Sequence, residues 1–133
     1  SNAEGMAEIE RLWTQVNHGL VFCNLVDFDM LYGHRRDPKG YAKAMTEFDD
    51  WLENFRRQIM PEDLVIITAD HGNDPTWKGT DHTRERVPLI MLHRNQRHCL
   101  GLRTSFTDVA ATLADYFRLN PWENGHSFLD LLT

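Results

Sequence analysis

The sequence predicts an α/β fold, a mostly parallel sheet flanked by helices, and three observations carry that prediction. Short apolar runs at 19–26, 63–69 and 87–92 have the length and character of buried strands. Stretches with apolar residues at helical spacing lie before, between and after them. The alternation of the two is the order from which parallel βα units are built.

Taken in order, residues from about Glu4 to Val16 suit a helix, because Met6, Ile9, Leu12, Trp13 and Val16 recur on one side. Gly19 opens a short apolar run to Val26 that reads as a buried strand. Asp27 to Asp37 reads as a polar loop. From Pro38 to about Ile59 the helical pattern returns, with Pro38 tolerated in the first turn and Pro61 closing the element. Tyr41, Met45, Phe48, Trp51, Leu52 and Phe55 trace its apolar stripe. Asp63 to Ala69 is the clearest buried strand, and a long polar loop from Asp70 to Arg86 follows it. Val87 to Leu92 is a further strand, with Pro88 pointing to an edge or a first position. Thr104 to Asp108 supplies N-cap residues for a helix whose apolar face is Phe106, Val109, Ala110, Leu113, Ala114 and Phe117. The tail from Gly125 to Leu132 is apolar enough to dock.

At 133 residues the chain is one domain or a piece of a larger one. Ser1-Asn2-Ala3 reads as a cloning remnant and is set outside the fold, leaving 4–133 as a single domain. With 41% hydrophobic and 26% charged residues it is an ordinary globular composition, not a disordered one. A net charge of -6 gives no broad basic footprint, so nucleic acid is not an expected partner. No apolar run reaches the roughly 20 residues that span a bilayer, so no membrane is expected either. With no signal peptide visible, cytoplasm is the default compartment. Two cysteines, Cys23 and Cys99, do not make a disulfide framework.

In open α/β sheets, ligands bind beyond the carboxyl ends of strands. Two stretches follow predicted strands directly and carry an unusual set of side chains. The first contains Asp27, Asp29, His34 and Asp37; the second contains Asp70, His71, Asn73, Asp74, Asp81 and His82. Carboxylates and neutral imidazoles suit divalent zinc, manganese or iron, and no cysteine lies in either stretch. A lone Asp-His pair at a strand end is more often loop polarity or a helix cap. Three such clusters at one sheet edge are harder to assign to chance, and they point to a metal site.

These stretches resemble known motifs. The run from Asn24 through Val26-Asp27-Phe28-Asp29 to Gly33-His34-Arg35-Arg36-Asp37 is similar to a phosphopentomutase motif. So is the run Ile67-Thr68-Ala69-Asp70-His71-Gly72-Asn73-Asp74 through Thr80-Asp81-His82-Thr83-Arg84-Glu85 to Val87-Pro88. The steps of five residues from Asp29 to His34, and of eleven from His71 to His82, fit the same family. Phosphopentomutases belong to the alkaline phosphatase superfamily of two-metal phosphoryl-transfer enzymes. The resemblance implies a partial alkaline-phosphatase-like core. It implies that Asp29, His34 and His82 hold one metal and that Asp70 and His71 serve the other, with manganese as the usual ion. It also implies a phosphorylated pentose as substrate, with ribose or deoxyribose 1-phosphate and 5-phosphate interconverted through a phosphorylated threonine.

The likeness covers only the C-terminal portion of the family's core domain. The family's nucleophilic threonine, one metal-binding aspartate and the sugar-gripping cap have no counterpart here. Thr68, Thr76, Thr80 and Thr83 do not sit in the nucleophile's context, so no catalytic nucleophile is assigned and the chain alone is not expected to be a competent mutase. An exposed sheet edge, or a missing N-terminal portion, makes a homo-oligomer or a docked partner chain an expectation. The alternative is a non-catalytic metal-binding or interaction domain derived from the same fold; a weaker third reading is a hydrolytic phosphatase.

Arg35, Arg36, Lys78, Arg84 and Arg86 flank the two loops and could draw a phosphate, but pairing with Asp27, Asp37, Asp74, Asp81 and Glu85 is the plainer expectation. Trp77 is assigned to core or loop packing over stacking. His18, His93, His98 and His126 are assigned surface or hydrogen-bonded roles, and Trp51 and Phe55 belong to the core.

Overall fold

The computed structural model describes residues 1–94 and 99–132; His98 and the middle of the 93–101 connection lie outside the described residues. The chain forms two compact units. One is Ser1–Ile59 with Ala69–Pro88, and the other is Met60–Thr68 with Leu89–Thr133.

The first unit is built on two helices. Helix α1 (Asn2–Trp13) starts with a capping box in which Ser1 and Glu4 satisfy one another's backbone. Asn2 is buried, and its backbone N–H donates to Asp27 Oδ2 (2.6 Å) while its Oδ1 accepts from Asp27 N (2.9 Å). Ser1 and Asn2 thus cap α1 and tie it to the segment that carries Asp27. Helix α2 (Pro38–Phe55) begins with Asp37, whose carboxylate accepts from Gly40 N (2.9 Å), and runs into a 3₁₀ turn at Arg56–Gln58.

An aromatic row joins these elements. Trp51 stacks on Phe55 (4.9 Å between centroids), Trp13 meets Phe55 edge-on (5.1 Å), and Phe48 lies 5.5 Å from Trp51. Phe55 is 2% exposed, as its place on the stripe required. Met45 is exposed and Ala44 is buried instead, because the inward side of α2 runs through half-buried 41, 48 and 51 and buried 44 and 55. Phe28 packs beside Tyr41 (5.4 Å) and Phe48 (6.4 Å), which ties the segment after residue 27 to α2.

Two expectations fail in this unit. Residues 20–25 are extended but join no ladder among the described residues; alternate side chains pack while Leu20, Phe22 and Val26 stay exposed. The run has a strand's period of burial but no paired strand among the described residues. Its successor is not a loop but a π-helical turn, Phe28–Gly33.

In the second unit, β1 (Val65–Thr68) pairs with β2 (Leu89–Leu92) in antiparallel register, Val65 opposite Leu92 and Thr68 opposite Leu89. The α/β class stands, but the sheet among the described residues is not the mostly parallel one expected. A parallel pair needs a crossover, usually a helix, and residues 69–88 between these strands contain none. Helix α3 (Thr107–Tyr116) buries Ala111, Thr112 and Ala114, while Phe106, expected on its apolar face, is exposed. The tail docks as expected: Phe128 is 1% exposed. Gly125 takes φ +97°, and a Cβ there would lie 2.5 Å from Thr107 O, so only glycine allows this approach.

Candidate metal centre

Four of the five expected ligands meet in the first unit. Asp29 and His34 are set by the π-helical turn. His34 N donates to Asp29 O (2.9 Å) across five residues, where an α-helix would bond four apart. The wider turn puts residues 29 and 34 side by side, and His34 Nε2 lies 3.3 Å from Asp29 Oδ2. The five-residue spacing in the sequence is thus the signature of this turn.

His71 and His82 are brought together by an isolated antiparallel bridge between Gly72 and Thr83, with Thr83 N donating to Gly72 O (3.0 Å). Their rings stack with centroids 3.6 Å apart. Gly72 is required here, since a Cβ would lie 2.9 Å from both Thr83 O and Glu85 N. His82 Nε2 lies 3.5 Å from Asp29 Oδ1 and 3.1 Å from His34 Nε2. One ligand atom each from Asp29, His71 and His82 falls within 4.8 Å of the others.

The ring tautomers fit a cation. His34 Nδ1 contacts the carbonyl of Thr80, and His71 Nδ1 lies 3.2 Å from Gly72 O. A carbonyl only accepts, so each Nδ1 is the donor, and in the neutral ring that leaves the lone pair on Nε2. Metal-binding histidines are characteristically fixed in this way. Two Nε2 atoms 3.1 Å apart, beside a carboxylate, need a proton or a cation between them. The four side chains are 30–47% exposed, so an ion can reach them. Asp70, the most exposed of the five at 79%, lies 3.6 Å from His71 Nε2. His71 thus lies beside both Asp70 and the group of Asp29 and His82.

Arg36 holds the two loops together. At φ +54° it turns its guanidinium onto Asn73 Oδ1 (2.9 Å), Asp74 O (2.7 Å), Asp81 O (2.8 Å) and the carbonyl of Gly79. The expectation that it pairs with carboxylates is replaced by a clamp on backbone carbonyls. Arg35, Lys78, Arg84 and Arg86 are exposed, and so is Trp77, against the packing expected of it. Asp74 accepts from Thr76 N (2.8 Å) and Thr76 Oγ1 (2.7 Å), bonds that, with nearby Arg36, hold its carboxyl below the usual range. Burial, then the charge of Asp29, pushes the Tyr41 hydroxyl up. Elsewhere, His93 is hydrogen-bonded as expected, its Nδ1 2.8 Å from Asp63 O.

Residue-by-residue reading missed Asn73. Its Nδ2 donates to Asp29 Oδ1 (2.7 Å). Its only sequence signal was its place two residues after His71 in a glycine-turned loop.

A fold of helices with a small sheet and a cluster of carboxylate and imidazole donors is a metalloenzyme arrangement. Residues 1–121 match the model of the Metalloenzyme superfamily, and the chain belongs to that superfamily. Among curated relatives it is 48% identical to a phosphopentomutase of Dictyoglomus thermophilum, over 99% of this chain and 34% of that protein. It is 53% identical to a phosphopentomutase of Syntrophotalea carbinolica, over 98% of this chain and 34% of the relative. A phosphopentomutase of Hahella chejuensis is 54% identical over 83% of this chain and 27% of its own length. The chain spans about a third of the length of these relatives. Among the described residues no helix is long and apolar enough to cross a membrane.

Proposed function

We propose that this chain is the metal-binding stretch of a phosphopentomutase-type phosphoryl-transfer enzyme, with manganese as the ion. Asp29, His34 and His82 hold one ion, and Asp70 and His71 contribute to a second. The observation that carries the reading is the convergence of imidazole and carboxylate donors on one another, with two of the Nδ1 atoms turned to carbonyls. Paired divalent ions, when bound, clamp the attacking and leaving oxygens of an in-line phosphoryl displacement.

The chain's own residues supply orientation. The π-helical turn fixes Asp29 against His34, the Gly72–Thr83 bridge fixes His71 against His82, and Arg36 holds the two loops in register. The substrate in this reading is a phosphorylated pentose, as the names of the relatives suggest. Thr76 and Thr83 hydroxyls are engaged with Asp74, and none of the threonines near the cluster has the family's nucleophile context. This stretch by itself is therefore expected to bind metal without isomerising pentose phosphate, in a cytoplasmic setting. The exposed side of residues 20–26, with Phe22 85% exposed, supports self-association through that segment.

Calorimetric titration of the chain with manganese, beside His82→Ala, tests the reading. About one equivalent bound by the unsubstituted chain and lost in the variant is the expected result. No binding by either chain overturns it. Turnover of ribose 1-phosphate by this chain alone would overturn the assignment of the nucleophile to residues outside it, and release of free phosphate would favour a hydrolase. Sedimentation as a clean monomer at micromolar concentration would remove the self-association.

A further inference from the structure

We propose that Asn73 is a positioning residue that sets the orientation of the Asp29 carboxylate, and that Arg36 and Gly33 in turn set Asn73. The proposal rests on the metal-centre reading above for its consequence, though not for its geometry.

The amide of Asn73 is committed at both ends. Its Nδ2 donates to Asp29 Oδ1 (2.7 Å), and its Oδ1 accepts from Arg36 Nη1 (2.9 Å). A carboxylate can only accept and a guanidinium can only donate, so these two partners leave one way round for the amide. The third constraint is steric. A Cβ on Gly33 would sit 2.4 Å from Asn73 Nδ2 and 2.6 Å from Asn73 Cγ. Gly33 is buried and closes the same π-helical turn that begins beside Asp29. The absent side chain is what lets the amide lie against that turn and reach the carboxylate.

The consequence falls on the two oxygens of Asp29. Oδ1 accepts from the amide and faces His82 Nε2 at 3.5 Å, while Oδ2 lies 3.3 Å from His34 Nε2. A carboxylate free to rotate would offer either oxygen, or both, to an ion. Held by Asn73, it keeps Oδ2 toward His34 and Oδ1 toward His82, so the orientation in which it would meet an ion is fixed in advance. Partners that orient a ligand in this way typically change metal affinity by about 10–100-fold when removed.

Two measurements on the chain test this. The first is the side-chain amide resonance of Asn73 in the metal-free, ¹⁵N-labelled protein. The expected result is slow solvent exchange that is lost in Asp29→Ala; an amide indifferent to Asp29→Ala overturns the proposal. This readout needs no change at Asn73, so a poorly folding Asn73 variant does not weaken it. The second is manganese affinity in Asn73→Leu, which keeps the volume without the donor, and in Gly33→Ala, which keeps the donor and displaces it. Both are expected to bind roughly 10–100-fold more weakly with the thermal midpoint of Asn73→Leu unchanged. Unchanged affinity in both folded variants overturns the proposal. An Asp29-dependent amide in a chain that binds no manganese supports the Asn73–Asp29 coupling while overturning the metal reading, so the two failures are distinguishable.

Discussion

Asp108 and Asp29 are both carboxylates among polar neighbours, yet their surroundings differ in kind. Asp108 is 5% exposed; its Oδ1 accepts from His126 N (2.9 Å), and Arg103 Nε faces its Oδ2 at 3.8 Å. Beside it Thr112, fully buried, donates to Asp108 O (2.7 Å) and accepts from Phe128 N (3.1 Å). Two backbone N–H groups and the Thr112 hydroxyl meet acceptors there, while the buried Arg103 Nε is held by charge alone. At Asp29 the pattern is reversed. The side chain is 30% exposed, and its oxygens and two imidazole nitrogens, all able to donate a lone pair to a cation, converge on one another. The first cluster holds the tail to α3; the second gathers side chains able to hold a cation. Polar residues serve the fold where their bonding is mutual and serve chemistry where their lone pairs converge on a shared point.

Breaking each cluster in turn sharpens that contrast. The largest effect is expected from His82→Ala, which should abolish measurable manganese binding in calorimetry and leave thermal stability within about 0.5 kcal/mol, as for an exposed substitution. Phe128→Ala should do the opposite. Removing a ring that is 1% exposed should cost about 3–5 kcal/mol in denaturant unfolding, with the manganese affinity of the folded protein unchanged. Asp108→Asn keeps the acceptor for His126 N but removes the charge facing Arg103. It should cost about 1–3 kcal/mol in the same experiment, since Arg103 is left without a counter-charge.

The smallest effect concerns Asp74, at the rim of the metal loops. Its carboxyl titrates below its ordinary value of 3.8 because Thr76 bonds the charged form. A depressed folded value adds stability above the unfolded value and loses it as the pH falls through the folded one. Asp74→Asn retains an acceptor for Thr76 and cannot titrate. Unfolding profiles of the two proteins should therefore run parallel near neutrality, and the unsubstituted chain should fall away from the variant below about pH 4. Parallel profiles down to pH 2 would remove Asp74 from the account.

Sequence reasoning named the side chains of the candidate cluster more fully than the fold around it, and particular residues show why. Asp29, His34, His71 and His82 were legible because donor type and spacing are local properties. The five-residue step already contained the π-helical turn, although the segment itself read as a loop. Apolar periodicity located α1, α2, α3 and both paired strands to within a few residues. It could not say that residues 20–25 would go without a ladder, because pairing depends on a neighbour and not on the strand's own pattern. Nor could it give the sense of the β1–β2 pair, which follows from the helix-free connection at 69–88.

What the sequence determined by itself, then, was chemistry and period: which side chains can hold a cation, which stripe faces inward, and where the chain must turn at Gly72. What only the tertiary structure decided was company. It drew His71 toward His82, sent Arg36 to carbonyls instead of carboxylates, and set Asn73 between Arg36 and Asp29. The physical reason is range. Propensity and ligand type act over a few residues, whereas an amide that bridges positions 36 and 29 from position 73 is fixed by hydrogen bonds and close approach that exist only once the loops have met.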